Sequence, residues 1–324
     1  MKRIILFTAL LLCGIGLQAQ DLGKFHRGLD SLVFEYKPLA DKPITLYYYI
    51  PTQGDVRKMK VLFSFHGAER SGLNPIICWQ EFAEKDGFVV LSPQFRRSLY
   101  DENQYQFGNV FKTRECEELN PEEEWIYSAV EPMFDFFKKE TGNRSKKYDI
   151  QGHSAGGQFV HRYLIAKPDA RVRKAVASNP GHWTWISDDG SVNGYTDNTI
   201  WPYTVKGTPF GDERHIKAYF KRRMVVHNGV CDTLTSGEYI ATDPQALAEG
   251  KNRYERGLNY YKAMKEYAAS KGYRFRWKSV QIEGIGHAGR GVVYGTFSTN
   301  EKGKKVYSAD NHTTTGAYSL LFER

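Results

Sequence analysis

The chain has 324 residues, 41% of them hydrophobic, and a formal net charge of +8 from 45 Lys and Arg against 37 Asp and Glu. Its basic residues occur only as short pairs such as Arg96-Arg97, Lys146-Lys147, Arg222-Arg223 and Lys304-Lys305, neither the stripe nor the module that a nucleic-acid partner requires. Past residue 20 no window offers the run of about 18 apolar residues that a membrane span needs.

In chain order, Lys2 and Arg3, an apolar run from Ile4 to Leu17 and the small Ala19 in Gln18-Ala19-Gln20 read as a secretory signal peptide over residues 1–20. The mature chain is therefore expected to be secreted or periplasmic. Cys13 lies in that leader behind a bulky Leu12, which disfavours lipid anchoring. Residues 21–324 have the length of one large α/β domain. Cys78, Cys116 and Cys231 remain, enough for one disulfide in an oxidising compartment, with the pairing open. No Cys/His spacing matches a zinc site, and neither a metal nor a cofactor is expected.

Apolar runs bounded by turn residues predict strands at 44–50, 61–65, 88–91, 148–151, 174–177, 224–227 and 275–282. A helix is expected from Ser154 to Lys167, burying Phe159, Val160, Tyr163 and Leu164 and stopped by Pro168. Another runs from Asn252 to Ser270, with Tyr254, Leu258, Tyr261, Met264 and Ala268 on its apolar stripe and Gly272 as its stop. Strands alternating with helices imply an α/β fold, a mostly parallel sheet with helices on both faces. One stretch breaks the alternation. Residues 182–212 carry Trp183, Trp185, Tyr195, Trp201, Tyr203 and Phe210 among Gly, Asp, Asn and Thr, and long loops of this kind are usually functional. They are expected to form an aromatic cap near the site.

The chemistry starts at Gly152-His-Ser-Ala-Gly156, a G-x-S-x-G pattern between a predicted strand and a predicted helix. Such an elbow holds its serine in a strained turn that small neighbours permit, lifting the Ser154 hydroxyl to a helix N-terminus where the Ala155 amide can meet a developing oxyanion. A serine nucleophile needs a base. Of nine histidines, His287 follows a predicted strand in Glu283-Gly-Ile-Gly-His-Ala-Gly, on the carboxyl edge where open α/β sheets collect their ligand-binding groups. Asp232, in Asn228-Gly-Val-Cys-Asp, follows the preceding predicted strand and completes the chain order Ser, Asp, His. Asp188, Asp189, Asp197, Asp212 and Asp243 remain its competitors. A second oxyanion donor is expected from the Ala68 amide in the loop His66-Gly67-Ala68. His66 and His153 are expected beside the substrate. Trp183, Trp185, Trp201 and Tyr203 form a candidate stacking platform for a hydroxycinnamoyl group or a sugar, with packing of the loop as the competing reading.

These motifs resemble the α/β-hydrolase superfamily, near the polyhydroxybutyrate-depolymerase and feruloyl-esterase-like group. The resemblance spans most of the chain after residue 20. It is carried by His66-Gly67, by the elbow from Gly152 to Tyr163, and by the Asp232 and His287 loops, while the residues after Arg290 match nothing in it. It implies a serine esterase working through an acyl-enzyme on a small-molecule or polysaccharide-linked ester, and the aromatic loop with the leader points to feruloyl or acetyl groups on plant polysaccharide. The rivals are a polyester depolymerase, a peptidase, and a non-catalytic binding module on the same scaffold. A peptidase would be expected to carry an extra domain, and a binding module to have lost one of the three residues.

Overall fold

The computed structural model describes residues 20–186, 195 and 199–323. The leader expected at 1–20 therefore lies, apart from Gln20, outside the described residues, as do Asp188, Asp189 and Asp197.

Eight strands, β1 (Gly28–Phe34), β2 (Ile44–Ile50), β3 (Lys60–Phe65), β4 (Phe88–Gln94), β5 (Tyr148–His153), β6 (Val172–Ser178), β7 (Met224–Gly229) and β8 (Lys278–Ile282), form one sheet in the order β1-β2-β4-β3-β5-β6-β7-β8. β2 pairs antiparallel with both β1 and β4, and every pairing from β4 through β8 is parallel. This is the mostly parallel sheet expected from the alternation of strand and helix.

The strands read as unbroken apolar runs because both faces are covered. In β3, Val61, Phe63 and Phe65 enter one core while Leu62 enters the other. The first core takes α2 (Val130–Thr141), α3 (Ala155–Ala166), α4 (Glu213–Lys221) and α6 (Arg253–Ser270), through side chains such as Phe137, Phe159, Ile216 and Met264. The second takes α1 (Leu73–Asp86), α7 (Gly289–Tyr294) and α8 (Ala317–Phe322), through Trp79, Val293 and Leu321. Each such side chain removed from water contributes about 1.5–3 kcal/mol. Thus the residues after Arg290, which match no known pattern, join α1 in covering the second face of the sheet. A short helix, α5 (Pro244–Glu249), leads into α6.

Four expectations need correction. β1 was not anticipated, because as an edge strand it leaves most of its side chains exposed and shows no apolar run. The strand expected over 275–282 starts only at Lys278, since Phe275 and Trp277 turn aside to pack on Phe220, with ring centroids 5.7 and 5.3 Å away. A second irregular stretch, between β4 and α2, brings Tyr100, Tyr105, Phe107 and Trp125 into the first core. The three cysteines are free thiols and not partly paired: Cys116 donates to the Trp201 carbonyl, and burial pushes the Cys78 thiol up to about 12.

Helix α6 begins as its sequence requires, with the Asn252 side chain accepting from the Glu255 amide at 2.9 Å. Its buried face is not the expected stripe. Met264 and Ala268 are buried, but Arg253, Arg256, Gly257 and Tyr260 take the places assigned to Tyr254, Leu258 and Tyr261, which are half-buried. The two arginines are tolerated there because acceptors meet them.

Candidate active site

β5 ends at His153 and α3 begins at Ala155, so the whole strand-to-helix reversal falls on Ser154. That residue has φ 59° and ψ −120°, a conformation costing an L-residue on the order of 1–3 kcal/mol. The turn closes because its flanks lack side chains: a Cβ on Gly152 would lie 2.1 Å from the Gly156 carbonyl oxygen, and one on Gly156 would lie 2.2 Å from that of Phe65. Gly156→Ala should therefore destabilise the protein by roughly 3 kcal/mol or more, because neither backbone can yield. A denaturant midpoint equal to the wild type's would show that the elbow is looser than described.

The loops after β7 and β8 rise beside this elbow at the carboxyl edge of the parallel strands. Backbone bonds from Cys231 to the Ile285 carbonyl and from Val230 to that of Ile282 knit the two loops together. Asp232 is buried at the first, and its Oδ2 accepts from His287 Nδ1 at 2.7 Å. That bond places the proton on Nδ1 and leaves Nε2 as a lone-pair acceptor. Of the rival carboxylates, Asp212 caps α4 and Asp243 caps α5.

Asn179, fully buried just past β6, is spent on the same two loops. Its Oδ1 accepts from the Gly229 amide at 2.8 Å and its Nδ2 donates to the Gly286 carbonyl at 3.1 Å. On the other side of Asp232, Arg253 donates from Nη1 to Oδ1 at 3.3 Å. Neither residue is among those the sequence motifs mark. A short polar residue just beyond a strand was a usable signal for Asn179, whereas nothing local marks Arg253.

Ser154 and His287 line one cleft of about 500 Å³, with His66, Gly67, Ala68 and His153 around them and the segment 236–240 as one wall. Gly67 backs onto the elbow serine, since a Cβ there would lie 3.6 Å from that of Ser154. His66 reaches the cleft but is an internal strut. Its Nδ1 donates to the Gly67 carbonyl at 2.9 Å, its Nε2 accepts from the Phe95 amide at 3.1 Å, and burial pulls its pKa down to about 3. Arg70 reinforces this loop from beneath, donating to the carbonyls of Phe95, Tyr100 and Asp101. His153 packs on His287 with ring centroids 4.5 Å apart; burial and the neighbouring His287, Arg253 and His227 hold it well below the usual imidazole range, so it is neutral. Among the described residues, no group of three or more His, Cys, Asp or Glu is placed to hold a metal ion.

Among the solved structures that share this arrangement of chain are two with appreciable sequence identity. Poly(aspartic acid) hydrolase-1 from Sphingomonas sp. KT-1 is 30% identical, with a TM-score of 0.74 over 82% of this chain and 96% of its own. The chain belongs to the α/β-hydrolase family, in its esterase and depolymerase group. LpqC, a poly(3-hydroxybutyrate) depolymerase from Bordetella parapertussis, is 26% identical, with a TM-score of 0.74 over 82% of this hydrolase and 86% of its own chain. An S-formylglutathione hydrolase from Agrobacterium tumefaciens, at 14% identity, a TM-score of 0.52 and coverage of 82% and 91%, shares the fold alone. No protein-family model and no curated protein matched the sequence.

In this hydrolase the expected aromatic platform is internal. Trp183 and Trp185 are fully buried, and Trp183 stacks on Tyr260 at 4.4 Å. Trp201 is buried and donates from its indole to the Phe107 carbonyl at 3.1 Å. Tyr203, half-buried, packs at a tilt on His182 with ring centroids 4.4 Å apart and donates its hydroxyl to Asp243. None of the four lines the cleft with Ser154. Aromatics bury large areas and pack edge-on or offset with one another, which here outweighs display to solvent.

A buried carboxyl, Glu249, ties this stretch down, accepting from the Trp183 amide at 2.9 Å and from the Tyr195 hydroxyl at 2.9 Å. Burial pushes Glu249 up to about 8, against the pull of those donors and of Arg256 and Arg162. The folded protein thus keeps a proton there that the unfolded chain releases above its ordinary value of 4.5. This contribution to stability is whole below that value and is lost as pH rises to about 8. Glu249→Gln should therefore flatten the fall in melting temperature between about pH 5 and about pH 8. Parallel slopes for the two proteins would contradict this.

Proposed function

We propose that the chain is a secreted serine carboxylesterase, with residues 21–324 as one catalytic domain behind a leader at 1–20. The observation that carries the reading is the His287 to Asp232 bond at 2.7 Å, on a histidine that shares the cleft with the elbow serine. Ser154 attacks the ester carbonyl while His287 Nε2 takes its proton, and Asp232 steadies the imidazolium. The oxyanion meets the Ala155 and Ala68 amides, the alcohol leaves with the proton from His287, and water activated by the same histidine frees the acid. No step needs a cofactor.

The burial of the tryptophans removes the support for a stacked hydroxycinnamoyl or sugar ligand. A polyester or another polymer of carboxylic acid units is the substrate reading the relatives favour, since the two at 26% and 30% identity are named for polymer hydrolysis. The deciding experiment compares release of p-nitrophenol from its acetate and butyrate, of ferulate from methyl ferulate, and of soluble acid from poly(3-hydroxybutyrate). Turnover of the aryl esters and the polymer, with little on methyl ferulate, is expected. Failure on every ester would overturn the esterase reading.

A further inference from the structure

The Asp232 carboxylate has two oxygens, and only Oδ2 serves His287. Left alone, a carboxylate turns freely between two equivalent poses about its last torsion, and an imidazole bonded to it would turn as well. Here the second oxygen is taken by Arg253, buried at the first turn of α6, whose other terminal nitrogen donates to the Tyr239 carbonyl. Tyr239 belongs to the cleft wall. The start of the helix is fastened to the same loop through the backbone, from the Tyr254 amide to the Asp232 carbonyl at 3.3 Å.

Arg256, close by on the same helix, is a useful contrast. Its guanidinium is wholly spent on backbone carbonyls, those of Gly250, Gly181 and Ala241, so it fastens the far end of the wall and touches no functional group. Arg253 instead leaves its Nε buried with no partner and divides its remaining donors between the acid and the wall. A buried ion pair is weak support for stability, since apolar side chains of similar volume often replace one at no loss. The reason for this pair lies in the geometry it imposes.

We propose that Arg253 is a positioning residue that locks the plane of the Asp232 carboxylate to the cleft wall at Tyr239, so that one guanidinium sets both His287 and the surface the substrate meets. The inference rests on the serine-hydrolase reading above. It makes the orientation of His287 depend on α6, and it couples displacement of the wall by a bulky ester to the alignment of the base.

The test uses the full chain and p-nitrophenyl acetate and butyrate. Arg253→Ala should lower kcat on the acetate about 10- to 100-fold with KM little changed, the size expected when a reacting group is misplaced by about an ångström. On the butyrate KM should rise too, because the wall is freed. Since Arg253 lines the cleft, added methylguanidinium should restore part of the lost kcat, whereas methylammonium at equal concentration should not. With 15N-labelled histidine, the Nδ1-protonated signal of His287 should broaden or become mixed. A kcat within twofold of wild type, or a loss that methylguanidinium does not relieve, overturns the proposal. Should the alanine variant not fold, Arg253→Lys decides: it keeps the charge but cannot span both acceptors, so wild-type kcat and KM there also overturn it. Ser154→Ala separates the two readings. If that variant stays active, the serine mechanism falls and this role with it; if it is dead while both Arg253 variants run at full speed, only the Arg253 assignment falls.

Discussion

Ser154→Ala is expected to lower turnover of p-nitrophenyl acetate by about a millionfold while leaving the melting temperature equal to or above that of the wild type. The loss is large because nucleophile and base act as one unit, so removing the hydroxyl strands His287 and Asp232 with nothing to activate. The remaining rate would come from the Ala155 and Ala68 amides and from substrate binding. Stability should not suffer, for Ser154 occupies a left-handed conformation at φ 59° with no side-chain bond capping α3, and alanine removes no bond that the fold uses. Activity within tenfold of wild type would dismiss the elbow serine as nucleophile.

Asp232→Asn should cost about ten-thousandfold in turnover, the size seen for this exchange in serine proteases. An amide nitrogen placed toward His287 donates where the carboxylate accepted, so the imidazole turns over to its other tautomer and presents an N–H to Ser154. The same substitution leaves the buried Arg253 guanidinium without its counter-charge. Breaking a buried pair from one side costs about 3 kcal/mol or more, so this variant, unlike the serine one, should also melt at lower temperature. Thermal melts beside steady-state rates check both parts, and an unchanged melting temperature would show that Arg253 finds other partners.

The parts of this site visible in the sequence are those that short-range chemistry dictates. The elbow is spelled out within five residues, because a strained turn against two backbones admits only glycine two positions to either side of the serine. His287 and Asp232 could be chosen because each follows an apolar strand, and the carboxyl ends of parallel strands fall on one edge whatever the side chains do. Arg253 could not be found this way, Asn179 only as a polar residue past a strand with its partners unmarked, and Arg70 not at all. Their partners lie 21, 50 or 107, and 25 to 31 positions away, and nothing in a helical or loop pattern announces which arginine points inward.

The aromatic stretch shows the opposite failure. Its composition is as apt for packing as for stacking on a ligand, and a count of tryptophans cannot tell whether their faces are covered. Only the positions of Tyr260, Phe107 and His182 settle that Trp183, Trp201 and Tyr203 look inward. Likewise Cys78 and the segment after Arg290 find their place only in covering the second face of the sheet.

By itself, then, the sequence determined the alternation of strand and helix, the elbow, and the edge where function collects, because periodicity and backbone sterics act over a few residues. The tertiary structure decided which carboxylate meets His287 among the described residues, which cations are buried, and which aromatics are hidden. Those outcomes turn on contacts between distant segments, where burial and hydrogen-bond satisfaction are settled jointly by the whole chain.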